Sequence, residues 1–295
     1  MGEFVILGDS TCDLKKAVRE QYGIDYMPMH YIIDDIEYEA SLEWESHSAK
    51  EFYDLLRSGK RVFTTQVPKD TYEKTFRSLL ENGKDVLYIG CSSALSGSVN
   101  TARTVAQELQ TQFPNNRVYC VDALICSLGQ GHLLMEASKK RAAGMSIADT
   151  AAYIESIRLK MNQFATVESL EYLRRAGRMK ASKAFFGNLF GIKPLIISDV
   201  KGQNYAFKKV KGTAAAISAI AQLIVDTAEG NYENLYIVHA DNLAGAQRLQ
   251  EEVLKLAPFQ NVMISTIAPT VGASVGPGTI GGYIYGKEVT IEGNE

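Results

Sequence analysis

Cysteine is scarce in this chain and never closely paired. Cys12, Cys91, Cys120 and Cys126 form no Cys-x-x-Cys unit, and none has a histidine at zinc-finger spacing. They read as buried free thiols at strand ends, and a nucleophilic role would need a low pKa that a sequence does not show. Runs of lysine or arginine are absent. With a net charge of -3, neither a sequence-independent nucleic-acid binder nor a protein drawn to an anionic membrane surface is expected. No apolar window approaches the length of a membrane span, so no stable membrane insertion is expected. Met1-Gly2-Glu3-Phe4 enters an apolar run with no basic segment ahead of it, and a cytoplasmic protein is the expectation.

What is present is an ordinary globular composition, 46% hydrophobic and 22% charged over 295 residues, enough for two cores. Four times in the first half a short β-type run ends in a cluster of Ser, Thr, Asp or Gly, and a helical pattern follows. Phe4-Val5-Ile6-Leu7 leads through residues 8–13 to a helix near Leu14. Arg61-Val62-Phe63 leads through Thr64-Thr65-Gln66 to a helix carrying Tyr72, Phe76 and Leu80. Val86-Leu87-Tyr88-Ile89 precedes residues 91–98, after which Val99, Ala102, Val105 and Leu109 recur at helical spacing. Val118-Tyr119-Cys120-Val121 leads to a helix through Leu133, Leu134 and Ala137.

Such units imply right-handed crossovers, a parallel sheet covered on both faces, and polar loops sharing one sheet edge where ligands bind. The serine-rich turn at residues 91–98 points helix N–H groups and hydroxyls at one spot, which suits a phosphate or a carboxylate. The plainer reading is that Ser96 or Ser98 caps the helix. Residues 31–56 read as an excursion with a hairpin around Asp34-Asp35 and a helix from Ala49.

Near residue 160 the pattern changes. A strand at Phe164-Ala165-Thr166-Val167 leads to the basic turn Arg174-Arg175-Ala176-Gly177-Arg178, and Phe185, Leu189 and Phe190 mark an apolar helix. A hairpin follows from Leu195-Ile196-Ile197 and residues 205–210, then helices from Thr213 and from about Leu243, with strands around 235–238, 262–267 and 283–285. The expected fold is α/β in two domains. Residues 1–160 form an N-terminal three-layer α/β/α domain with a parallel sheet, and residues 161–295 a C-terminal α/β domain with a mixed sheet.

Six stretches then occur in order: Asp9-Ser10-Thr11-Cys12-Asp13-Leu14, Thr64-Thr65-Gln66, Ser92-Ser93-Ala94-Leu95-Ser96-Gly97, Leu170-Glu171-Tyr172-Leu173-Arg174-Arg175-Ala176-Gly177-Arg178, Ile192-Lys193-Pro194 and Gly276-Pro277-Gly278. The ordered set resembles the DegV family of bacterial fatty-acid-binding proteins, some of which present a bound acyl chain to a separate fatty acid kinase. The resemblance implies one long-chain fatty acid held between the two domains, no cofactor and no catalytic residue. Position by position it puts Thr64 and Ser96 on the carboxylate, with Ser274, Thr65 and Ser93 beside them. It runs the acyl tail past Phe185, Phe186, Leu189 and Phe190, whose simpler reading is core, and places Arg178 and Lys211 where a kinase docks. Two positions depart from the family pattern: Ser274 stands where many members carry histidine, and Lys211 where they carry arginine. Serine donates a hydrogen bond but does not titrate near neutral pH, and lysine lacks the planar fork of arginine. Fatty-acid binding tolerates these changes more easily than service to a kinase does.

Energetics favour holding over transforming. Burying an acyl tail at roughly 0.8 kcal/mol per methylene supplies on the order of 10 kcal/mol gross, against about 1.5–3 kcal/mol for each charge-assisted hydrogen bond, so the tail sets affinity and the head group orientation. The rival is a serine hydrolase acting on acyl esters with Ser96 as nucleophile and His239 as the best-placed base, but Ser96 lacks the Gly-x-Ser-x-Gly elbow. Asp9 and Asp13 invite a magnesium reading and more simply serve capping and loop closure. A nucleotide site has no Walker loop to rest on. Arg174, Arg175 and Arg178 form either a docking patch or a solvated face that offsets a helix dipole.

Overall fold

The computed structural model describes residues 4–180 and 191–293. The first half runs β1 (Phe4–Asp9), α1 (Lys16–Tyr22), β2 (Ile24–Met27), β3 (His30–Ile33), β4 (Ile36–Glu39) and α2 (Ala49–Arg57). It continues through β5 (Phe63–Thr65), α3 (Lys69–Glu81), β6 (Asp85–Gly90), α4 (Ser98–Gln110), β7 (Val118–Asp122), α5 (Ser127–Ala142) and α6 (Ile147–Ile157). Four strands in the order β2-β1-β6-β7 make a parallel sheet. Alternate residues face opposite ways, and both faces are covered. Ile6, Leu87 and Ile89 pack with Leu133 of α5 and Ile154 of α6, whereas Leu7, Val86 and Tyr88 pack with Phe76 of α3 and Val99 of α4.

One expected strand lies elsewhere. β5, read from sequence as a member of the parallel sheet, pairs antiparallel with β3 in a small sheet ordered β4-β3-β5. Its place is taken by β2, whose short half-polar sequence Ile24-Asp25-Tyr26-Met27 hides it. Gly23, left-handed at φ 57°, ends α1 and turns the chain into this strand. The expected hairpin is present: Asp34 and Asp35, both at positive φ, join β3 to β4 as a tight two-residue turn requires.

The second half comprises β8 (Met161–Thr166), α7 (Leu170–Ala176), β9 (Met179–Lys180), β10 (Ile192–Ser198), β11 (Asn204–Lys211) and α8 (Thr213–Ala228). Then come β12 (Asn234–His239), α9 (Leu243–Leu256), β13 (Asn261–Thr266), α10 (Pro269–Val275) and β14 (Ile280–Tyr285). Among the described residues the mixed sheet is ordered β13-β12-β14-β8-β10-β11-β9. Ile220 and Ile224 of α8 and Leu249 of α9 cover one face, against Leu195, Ile237 and Ile284. From the other face Tyr236, Val238 and Tyr283 join the core that holds α5. Helix α5, buried at every position from Ser127 to Met135, therefore lies between the two sheets. A Cβ on its Gly129 would stand 3.0 Å from Tyr283, so glycine there permits the close approach.

Candidate functional site

Asp9, at the carboxyl end of β1, organises the loops at the sheet edge. Fully buried, it accepts from the Thr11 N–H at 3.0 Å and hydroxyl at 2.5 Å, and from the Tyr88 hydroxyl and the Cys91 N–H, each at 2.9 Å. The Cys91 bond fixes the start of the 91–98 turn. Its middle is fastened to the end of β7 and the loop that follows, where Ser93 N–H donates to Asp122 at 3.1 Å and Ser92 N–H to the Ile125 carbonyl at 3.1 Å. At its end Ser98 Oγ accepts from the Ser96 hydroxyl at 3.0 Å and from the Val67 N–H at 3.2 Å. Ser98 thereby ties α4 to the segment following β5, and Thr64 and Ser96 come to line one cavity. Gly97, not a serine, occupies the N-cap of α4.

That cavity, about 210 Å³, lies between the sheet-edge loops, α10 and the second sheet. Thr64, Thr65, Ser96 and Ser274 all line it, as does Arg178. Thr64, Arg178 and Ser274 also border an outer cleft of about 350 Å³ that includes Lys60, Arg61, Arg174 and Arg175. These three shared residues lie where the cavity and the cleft meet, here called the mouth. The remaining walls include Met29, Leu95, Val238, Ile267, Val271 and Tyr283, with the thiols of Cys91 and Cys126 and the polar side chains of Thr11 and Gln66 among them.

The other expected site residues fall outside this arrangement. Ser93 is exposed and its side chain does not line the cavity, because the backbone bond to Asp122 turns it to the far side of the loop. Lys211 is exposed at the end of β11 and borders neither cavity nor cleft. Phe185, Phe186, Leu189 and Phe190 lie outside the described residues. Arg178, expected on a docking surface, is exposed and sits at the mouth itself, its guanidinium donating to the carbonyls of Leu95, at 3.3 Å, and Ala176. A cation thus stands where the sequence reading relied on hydroxyls alone. Thr270, Gln163 and Asn204 also line the cavity and carry no sequence signal of their own.

The lining holds no nucleophile–base pair among the described residues. Among its described residues there is no histidine, so Ser96 has no base beside it. His239 accepts the Asn242 N–H at 3.2 Å, away from the cavity, and burial lowers its pKa. Contact with Cys126, together with burial, pushes the Cys91 thiol well up, which makes it a poor nucleophile. Glu171 is held down to about 2 by hydrogen bonds from Arg174 and Arg175. Neither Asp9 nor Asp13 caps α1, whose cap residue is Lys15, and among the described residues no cluster of His, Cys, Asp or Glu is built to hold a metal ion.

Residues 3–287 match the profile of the DegV family, described as "Uncharacterised protein, DegV family". The chain is 31% identical to a DegV domain-containing protein of Clostridium perfringens over 97% of its own length and 98% of that protein. It is also 31% identical to a protein of Thermotoga maritima named fatty acid-binding protein, over 96% of its own length and 97% of that relative. A DegV family protein from Thermus thermophilus, described by its fatty acid binding, has the same fold with a TM-score of 0.87 and 28% identity, covering 97% of this chain and 100% of that one. No described helix is long and apolar enough to cross a membrane. The ordered loops, the two sheets and a family match across nearly the whole length agree: this chain belongs to the DegV family.

Proposed function

We propose that the protein binds one long-chain fatty acid in the cavity between residues 1–160 and residues 161–295, and carries or presents it without transforming it. In this reading the carboxylate lies at the mouth against the hydroxyls of Thr64 and Ser96, with Ser274, Thr65 and Arg178 beside them, and the tail runs inward along the apolar walls. The observation that carries it is the mixed lining of one cavity: hydroxyls and a guanidinium grouped where it meets the cleft, and a mainly apolar surface over the rest, with a few polar groups such as Thr11 and Gln163. The relatives from Thermotoga maritima and Thermus thermophilus, named for fatty acid binding, support the same ligand class.

Presentation to a fatty acid kinase is the second reading. One feature favours it: the cavity adjoins a cleft bordered by Lys60, Arg61, Arg178 and the Arg174–Glu171–Arg175 cluster, a net basic surface suited to an acidic or phosphate-bearing partner. Arg178 belongs to that surface and to the carboxylate end at once.

The test is direct. Protein purified from a bacterial host should yield a co-purified long-chain acid on solvent extraction and mass spectrometry. The double substitution Thr64→Ala with Ser96→Ala should weaken uptake of that acid about tenfold or more, the equivalent of one to two lost hydrogen bonds, with an unchanged circular dichroism spectrum. Absence of lipid combined with failure to take any up would remove the proposal.

A further inference from the structure

The backbone of Arg178 is held by a side chain from the cavity wall. Asn204, the first residue of β11 and only 7% exposed, donates from Nδ2 to the Arg178 carbonyl at 3.1 Å. Behind it, buried Gln163 of β8 donates from Nε2 to Asn204 Oδ1 at 3.0 Å. Strand β10 lies between β8 and β11, so the two amides meet across it, and the residue of β10 paired with Asn204 is the small Ser198. Gln163, Asn204 and Arg178 all line the cavity.

The direction of this chain of bonds is forced. A peptide carbonyl only accepts, so Asn204 turns its NH2 group to Arg178 and its oxygen to Gln163, which must then donate in turn. Burying two amides in a mainly apolar wall is costly unless their bonds are made, and an apolar pair of similar volume would line the wall without that cost. What the amides accomplish, and an apolar pair would not, is the placement of residue 178.

That residue has little else to hold its main chain. It follows Gly177, the left-handed end of α7, and its own N–H reaches the Leu173 carbonyl at 3.4 Å. The strand it enters, β9, is two residues long and among the described residues pairs only with β11, Met179 opposite Asn204. Asn204 thus grips the start of β9 twice, through its backbone register and through its side chain. At the other end of Arg178 the guanidinium donates from Nε to the Leu95 carbonyl at 3.3 Å and from Nη1 to the Ala176 carbonyl, which leaves Nη2 without a partner among the described residues. An arginine fixed at both ends has already lost its rotamer freedom, so a ligand does not have to order it on binding.

We propose that Asn204 is a positioning residue of the carboxylate site: backed by Gln163, it fixes the backbone of Arg178 so that the guanidinium stands ready for the ligand's carboxylate. The inference rests on the fatty-acid reading above and adds to it a residue that acts through Arg178.

The experiment uses the delipidated full-length protein and two ligands of one chain length, hexadecanoic acid and hexadecan-1-ol, with affinities measured by displacement of a fluorescent fatty acid. Arg178→Gln is expected to weaken the acid about tenfold and to leave the alcohol, which carries no charge, within about twofold. Asn204→Leu keeps the volume and removes the donor. It is expected to weaken the acid about fivefold, again sparing the alcohol, and to add nothing in the Arg178→Gln background, where it has nothing left to act through. Equal losses for acid and alcohol in Asn204→Leu overturn the proposal, because a damaged wall affects both. So does a loss that multiplies with that of Arg178→Gln, or no loss at all. Should Asn204→Leu not fold, Gln163→Met takes away the backing amide alone and is expected to weaken the acid about threefold with the alcohol unchanged, and absence of that acid-specific loss overturns the proposal equally. If Arg178→Gln leaves the acid unaffected, Arg178 does not meet the carboxylate and the inference fails while the fatty-acid reading stands. If the unsubstituted protein binds neither ligand, that reading fails and the inference falls with it.

Discussion

Asp13 lies two residues beyond Thr11, a cavity-lining residue, and joins the two halves of the chain. It is buried at a positive φ of 52°, and its carboxylate accepts from the Ala268 N–H at 2.8 Å, just ahead of α10, and from the Ser127 hydroxyl at the start of α5. Its carbonyl accepts from Ser265 at 2.7 Å. Burial pushes its carboxyl up to about 7, against the opposing pull of Ser127 and Ala268. The folded protein therefore keeps a proton that the unfolded chain sheds near pH 4. This contribution to stability is fully present below pH 4 and is lost as pH rises toward 7, by at most about 4 kcal/mol. Asp13→Asn, which keeps an acceptor for Ala268 and tolerates the left-handed backbone, should flatten that part of the profile. Urea unfolding from pH 4 to 8 checks it, and parallel profiles for the two proteins would show that Asp13 ionises normally.

The same scale shows what single residues in a sequence disclose. Ser96 stood out in a serine-rich strand-to-helix turn, Thr64 and Ser274 were singled out only by the family resemblance, and all three line the cavity. Ser93, from the same motif as Ser96, faces away, since a shift of a few residues along a turn changes the side a residue faces. Asp9 was visible as a polar residue, but its four hydrogen bonds to Thr11, Tyr88 and Cys91 depend on contacts as many as 82 residues apart. Arg178 reached the cavity for equally non-local reasons.

Among the elements, α10 carries the most and was the least legible. Its seven residues include Gly272, and Pro269 opens it, so the pattern reads as a loop. The helix ends at Gly276, at φ 77°, where a Cβ would collide with the ring of Tyr172. Tyr172 in α7 donates to the Leu56 carbonyl of α2 at 3.0 Å, so α10, α7 and α2 meet at this glycine. Gly276→Ala combines backbone strain with a collision and should cost about 2–4 kcal/mol, while shifting α7 and with it Arg178. Gly177→Ala is the contrast. Gly177 ends α7 at φ 66° with open space around it, so only the backbone strain of about 1 kcal/mol is expected. Denaturant midpoints that fall equally for the two variants would mean that the Tyr172 contact gives way freely. β5 was misplaced for a related reason: three residues, Phe63-Thr64-Thr65, fit either sheet locally, and only the distant partner β3 decides between them. Long periodic elements such as α8 and α9 were read nearly to the residue, because their apolar stripes are set by burial against one face.

For the whole molecule, the sequence could disclose that polar loops gather on one edge of a parallel sheet, since that follows from strand-loop-helix order. That the second half closes over that edge came only from the family resemblance, and that α5 lies between the two sheets was not legible at all, because α5 is buried on several sides and shows no clean polar face. The closure has a thermodynamic consequence. A ligand seated between residues of both sheets binds the folded chain and not the unfolded one, so its binding energy becomes folding stability. At a free concentration 100 times its dissociation constant, a long-chain acid should add about 2.7 kcal/mol and raise the thermal midpoint by roughly 5 °C. The Thr64→Ala, Ser96→Ala double variant, measured at the same concentration, should gain less, because weaker binding shrinks the logarithm on which the shift depends. Differential scanning fluorimetry of delipidated protein across an acid titration reads both effects. Equal shifts in the two proteins would move the carboxylate away from Thr64 and Ser96, and no shift in either would mean that the space between the sheets is not where the acid binds.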